Sequence, residues 1–151
     1  MASNPLGAVI IADGGNPRTL TGIALETISG GQCVVASGAF NAVGSQAASF
    51  DTSDIKVALV IDPEKVNGVA LNNATSGNAI TFATRGAVIL KTLGSVLQGN
   101  AVEAVSHEGV QSISSGAIPS ALYAGIMASK SFGRALTAAG SNQYALIDIH
   151  P

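Results

Sequence analysis

Gly68-Val69-Ala70-Leu71-Asn72-Asn73-Ala74-Thr75-Ser76 is echoed later in the chain by Gly133-Arg134-Ala135-Leu136-Thr137-Ala138-Ala139-Gly140-Ser141. Each copy runs into a turn and then an alternating stretch, Ala79-Ile80-Thr81-Phe82 in one and Tyr144-Ala145-Leu146-Ile147 in the other. Apolar residues that recur at every second position mark a half-buried strand, so each copy reads as strand, turn, strand. Two copies are fewer than the three stacked units a solenoid needs. They fit two hairpin-like units of one small barrel or sandwich.

Reading outward from these copies, turn signals recur throughout. They fall at Gly14-Gly15-Asn16, Gly30-Gly31, Gly38, Gly44, Asn67-Gly68, Gly77-Asn78, Gly99-Asn100, Gly109, Gly116, Gly133 and Gly140. Glycine inside a helix costs about 1 kcal/mol relative to alanine, which leaves little room for helices of ordinary length. Short strands are expected over Leu20–Ile28, Gln32–Ala36, Ile55–Ile61, Asn67–Leu71, Ala79–Ala83, Gly86–Leu90, Phe132–Leu136 and Tyr144–Ile149. Ala101–Val105 alternates poorly and reads as strand or helix. Within Leu93–His107 the interruptions at Gly94, Gly99 and Asn100 allow a short turn of helix at most. Pro119–Lys130 reads as a short helix or an ordered apolar loop, with Pro119 at the first helical position and Lys130 near the C-terminal end. The fold class is therefore mainly β, a small barrel or sandwich of short strands with at most one or two short helices. Residues 1–19 form an N-terminal arm or a first strand, and 20–151 a single barrel-like domain.

Charged residues make up only 11% of the 151, against about a quarter in an average soluble domain. Seven basic and nine acidic side chains give a net charge of −2. So few cations exclude a polyanion binder that works by charge alone, and no nucleic-acid partner is expected. Barrel closure would protect strand edges without using charge. The mean hydropathy is nevertheless positive, which points to a surface that faces other protein. Met1–Asn4 carries no basic residue ahead of an apolar stretch, so no secretory signal is read. No run of about 20 apolar residues suggests a spanning helix, and no membrane partner is expected.

Candidate chemistry is sparse. Cys33, the single cysteine, lies in a strand-like run and reads as a small buried hydrophobe. His107 and His150 do not space with Cys33 as metal ligands do. The pairs Asp51/Asp54 and Asp62/Glu64 fall in turns. No Gly-x-Ser-x-Gly elbow and no phosphate-binding glycine loop occurs. No catalytic, metal or cofactor residue is therefore assigned, and no small-molecule substrate is expected. Arg18, Arg85 and Arg134 stand out among so few charges, and each is expected to have an acidic partner, within the chain or across an interface.

The order Cys33-Val34-Val35 after a Gly-Gly turn, Gly68-Val69-Ala70-Leu71, Ser76 through Val88, Gly133-Arg134-Ala135-Leu136 and Ala145-Leu146-Ile147-Asp148-Ile149 is similar to the small capsid decoration, or cement, proteins of tailed phages. The resemblance covers Gly30–Val88 and Phe132–Ile149. Ser106–Lys130 is longer and more apolar than a minimal member has, and Met1–Thr19 has no clear match. The resemblance implies a compact β-barrel, made in the host cytoplasm, that sits as a homotrimer on the outer surface of the virion head. It would bridge copies of the major capsid protein and stabilise the shell, without catalysis. Alternatives of other classes are a receptor- or glycan-binding module of a virion, and a self-assembling shell or fibre subunit.

On that reading the expected interface comprises Leu6, Val9 and Ile10 of the N-terminal stretch, the apolar stripe Leu122, Tyr123, Ile126 and Met127, and the arginines Arg85 and Arg134. The N-terminal stretch would lie along a neighbour as an added strand.

Overall fold

A computed structural model describes residues 17–37, 55–62, 65–113 and 130–150. Among them the chain forms nine strands: β1 (Arg18–Ala24), β2 (Cys33–Ser37), β3 (Lys56–Leu59), β4 (Gly68–Ala70), β5 (Ala79–Lys91), β6 (Ala101–Ser106), β7 (Gly109–Ser112), β8 (Gly133–Ala135) and β9 (Tyr144–Ile149). The fold is the mainly-β barrel expected from the sequence. Neighbours run β1-β3-β2-β4-β5, and β5 pairs back onto β1, which closes a five-stranded barrel. All its pairings are antiparallel except β1 with β3.

The remaining strands are bonded outside that barrel, in the order β5-β9-β8-β6-β7. They repeat its construction. Val34 opposes Gly68 and Leu59 in the first barrel, as Val102 opposes Gly133 and Ser112 in the second group. Ala70 opposes Phe82 as Ala135 opposes Ile147. Ile23 opposes Ala79 as Lys91 opposes Tyr144. Even the parallel contact recurs, with Ala24 beside Val57 and Thr92 beside Val110. That last bridge, with the Leu93 N–H donating to the Val110 carbonyl at 2.9 Å, brings the second ring round to β5.

The echo in the sequence is thus half of a fourfold pattern. Its copies span residues 22–34, 68–80, 90–102 and 133–145. Each has leucine at one place, namely Leu25, Leu71, Leu93 and Leu136, and three residues later Ile28, Ala74, Val96 or Ala139. Ile28 pairs with Ala74, and Val96 with Ala139, through reciprocal backbone bonds of 2.8–2.9 Å. Three residues further the backbone takes positive φ, at Gly31 (91°), Gly77 (85°), Gly99 (84°) and Asn142 (59°). An amide side chain follows each time, Gln32, Asn78, Asn100 or Gln143. Gln32 and Gln143 use theirs alike, accepting from the N–H of Ser29 and of Gly140 at 2.8 Å. Within each pair the turns bond each other symmetrically. Gly31 N–H donates to Ala70 and Gly77 N–H to Ala24; Gly99 N–H donates to Ala135 and Asn142 N–H to Thr92.

One difference from the sequence, and one choice it leaves open, have plain causes. The runs 79–83 and 86–90 are one 13-residue strand, because Gly86 adopts φ 127° and lets β5 leave one ring and enter the next without ending. Ala101–Val105, open between strand and helix in the sequence, is strand, because Val102 and Ala104 both turn inward while the backbone pairs with β7 and β8. In β9 the inward set is Ala145, Ile147 and Ile149, which leaves Tyr144 exposed.

The core has two parts. Ala24, Ile28, Val34, Val57, Ala70, Ile80 and Phe82 fill the first barrel. The second cluster holds Val88, Leu90, Val102, Val110, Ala135, Ile147 and Ile149, and Cys33, Val60, Val66, Val69 and Ala83 of the first barrel pack into it. The opposite faces of β2, β4 and β5 therefore serve two cores. A backbone bond of 2.8 Å from Cys33 N–H to the His107 carbonyl ties the β6–β7 hairpin to β2.

Candidate interaction surface

Among the described residues the barrel interiors hold apolar side chains and one polar one, Thr92. Cys33 is buried, and burial alone pushes its thiol pKa up to about 12, so it is no thiolate near neutral pH. The buried polar side chain is Thr92, and it is fully used: its hydroxyl donates to the Gly140 carbonyl and accepts from Gln143 N–H at 3.1 Å. Among the described residues no three of His, Cys, Asp and Glu gather as metal ligands. Also among them, no helix is long and apolar enough to cross a membrane.

Two open depressions mark the first barrel. One, of about 480 Å³, lies over the Ile28–Ala74 bridge and is rimmed by Thr27, Ser29, Asn73, Thr75 and Asn78. Much of that rim is committed within the fold. Asn73 Oδ1 accepts from Gly30 N–H at 2.8 Å, and Asn78 donates to the Thr75 hydroxyl. The other, of about 440 Å³, is lined by Arg18, Thr84, Arg85 and His150. Large apolar side chains also reach solvent, notably Ile61 (94% exposed) and Leu97 (60%), with Leu20, Leu25 and Leu136 about half exposed.

Of the interface residues expected from sequence, Arg85 and Arg134 are described, and both are exposed. They are not brought together. Arg85 sits where β5 passes between the rings, whereas Arg134 on β8 opposes Asp148 on β9. Leu6, Val9, Ile10, Leu122, Tyr123, Ile126 and Met127 lie outside the described residues. Among the described residues no arginine forms an ion pair with an acidic partner of its own chain. Among the described residues the ion pairs are Lys65–Asp62 (3.4 Å), His107–Glu108 (3.9 Å) and Lys130–Glu103 (4.0 Å), and none involves an arginine.

Arg18 stands out in the sequence but not as a neighbour of Arg85, and nothing local there connects His150 with either arginine. Arg18 and His150 stand at opposite ends of the described chain. Strand register alone places them together, with Arg18 directly opposite Arg85 across β1 and β5. A faint signal exists in sequence: the aligned copies put Arg85 and His150 at the same place, just after the closing strand of each ring.

No family model and no curated protein matches the chain. Among solved structures it is similar to the N base of the head fiber gp8.5 of bacteriophage phi29. The TM-score is 0.59 at 12% sequence identity, and the match covers 89% of this chain and 94% of the other. At that identity the likeness is one of fold, and its coverage takes in both rings.

Proposed function

We propose that this chain is a structural subunit of the outer surface of a tailed-phage head, of the kind that forms the base of a head fibre. One observation carries the reading: the likeness to the phi29 head-fiber base runs through nearly the whole of both chains. The low charge and the exposed apolar side chains support it, since each suits a protein that works by contact with other protein. The partners would be the major capsid protein and further copies of this chain, most simply in a closed trimer.

A second reading, shell cement that bridges capsid subunits, is favoured by the duplication. Two rings of equal design held rigidly by β5 present two similar faces, and two weak contacts in one rigid body add through effective concentration. The experiment that separates these readings adds purified chain to expanded heads that lack it and follows co-sedimentation. Binding at a fixed ratio supports a head-surface role; no co-sedimentation overturns it. A rise in the temperature at which heads release DNA favours cement, and an unchanged temperature favours the fibre base.

A further inference from the structure

The chain contains only three arginines, and two of them face each other. Arg18 and Arg85 are cross-strand neighbours. On the other side of β5, Gly86 opposes Ile149 in antiparallel register, so Arg85 and His150 are the next pair along. Three basic side chains thus form one row across β1, β5 and β9, all exposed, around the 440 Å³ cleft. Thr84 completes the lining, and its hydroxyl donates to the Arg18 carbonyl at 3.3 Å, which fixes the start of β1 against β5.

Like charges set directly opposite in a sheet destabilise it. Among the described residues no carboxylate lines the cleft and neither arginine has an ion-pair partner. A chain with seven cations in 151 residues has no need to place two guanidinium groups together for solubility. We propose that this cleft is a docking site for a carboxylate side chain of a partner protein. Two adjacent guanidinium forks present paired N–H donors that match the two oxygens of a carboxylate, and the imidazole adds a third group at the same level. A nucleic-acid backbone fits poorly. The chain is net negative, and two arginines in one short row release few counterions. Identifying the partner as the shell protein rests on the proposed function; the carboxylate chemistry of the cleft does not.

The test uses the full chain, with hexaglutamate peptide and inorganic phosphate as probes. Hexaglutamate should shift the Nε–Hε resonances of Arg18 and Arg85, and R18Q/R85Q should bind it about tenfold more weakly or worse. The charge-matched K65Q/K91Q should bind within about twofold of the parent, as expected for side chains outside the cleft. Shifts absent from Arg18 and Arg85, or equal binding by R18Q/R85Q, overturn the proposal. So does phosphate that competes as well as the peptide, which would mark a free-anion site. So does D13N that tightens binding, which would make the chain's own Asp13 the occupant. The melting temperature of R18Q/R85Q at low salt should hold or rise; a fall of several degrees would mean the arginines serve the fold. Head co-sedimentation separates the two readings. If both proteins bind heads equally, the cleft assignment fails and the head-surface role stands. If neither binds heads while only the parent binds hexaglutamate, the head-surface role fails and the cleft stands.

Discussion

Replacing Phe82 by alanine tests whether the two rings are one folding unit. Phe82 is 1% exposed and is the largest fully buried side chain of the first barrel. Removing a buried phenyl ring costs about 3–5 kcal/mol, from lost transfer energy and the cavity left behind. For a chain of this size each kcal/mol lowers the melting temperature by roughly 2–4 °C, so a fall of roughly 6–20 °C is expected. The informative part is where the loss is felt. β5 belongs to both rings, five first-barrel side chains fill the second core, and Cys33 N–H is bonded to His107 across the junction. Local opening of the first barrel would expose those shared surfaces, so the second ring should lose protection with the first. Hydrogen exchange read by mass spectrometry on F82A should show faster exchange of β8 and β9 amides, by about the same factor as those of β1 and β4. The melt should remain a single transition. Two transitions, or β9 amides protected as in the parent, would refute the coupling.

Three further outcomes follow from particular contacts. A Cβ on Gly68 would run into the Ala83 carbonyl and Phe82, so Gly68→Ala should cost about 1–3 kcal/mol. At Gly77 a Cβ meets nothing within 4 Å but must hold φ 85°, so Gly77→Ala should cost only about 1 kcal/mol; urea melts rank the two. Thr92→Val strands the Gly140 carbonyl and the Gln143 N–H, a loss of about 1–3 kcal/mol by the same melts. The Cys33 thiol, raised to about 12 in the fold from an ordinary 9, keeps its proton when the unfolded chain has begun to lose it. The unfolded state then binds fewer protons, so stability should fall as pH rises from about 9 to about 12. Cys33→Ala should remove that slope, and a thiol reagent should label the parent only on unfolding; rapid labelling of the folded chain would contradict the burial.

Much of the fold was legible because turn residues and alternation are local. Glycine or asparagine at positive φ punctuated the chain where strands end, and Ile80 with Phe82 gave the inward face of β5 correctly. Leu93–Leu97 was harder to place, since the third copy of the pattern replaces the usual glycine and alanine with Leu90 and Thr92. That substitution hid the third copy: Leu90 takes the place that Gly22, Gly68 and Gly133 hold where backbone or side chains approach closely. The candidate site was less legible. Arg18 and Arg85 both stand out for their rarity, but they lie far apart along the chain, and His150 lies at a third distant place.

Residue order by itself determined that this protein is built of short strands, that Ile80 and Phe82 turn inward, and that its single cysteine is core. Those properties depend on neighbours a few positions apart. Pairing was decided only in three dimensions. A backbone ladder bonds any strand of suitable face, so alternation leaves the partner open. Closure of β5 onto β1, and the passage of that one strand into a second ring, selected the register. That register is what set two guanidinium groups and an imidazole side by side at the junction.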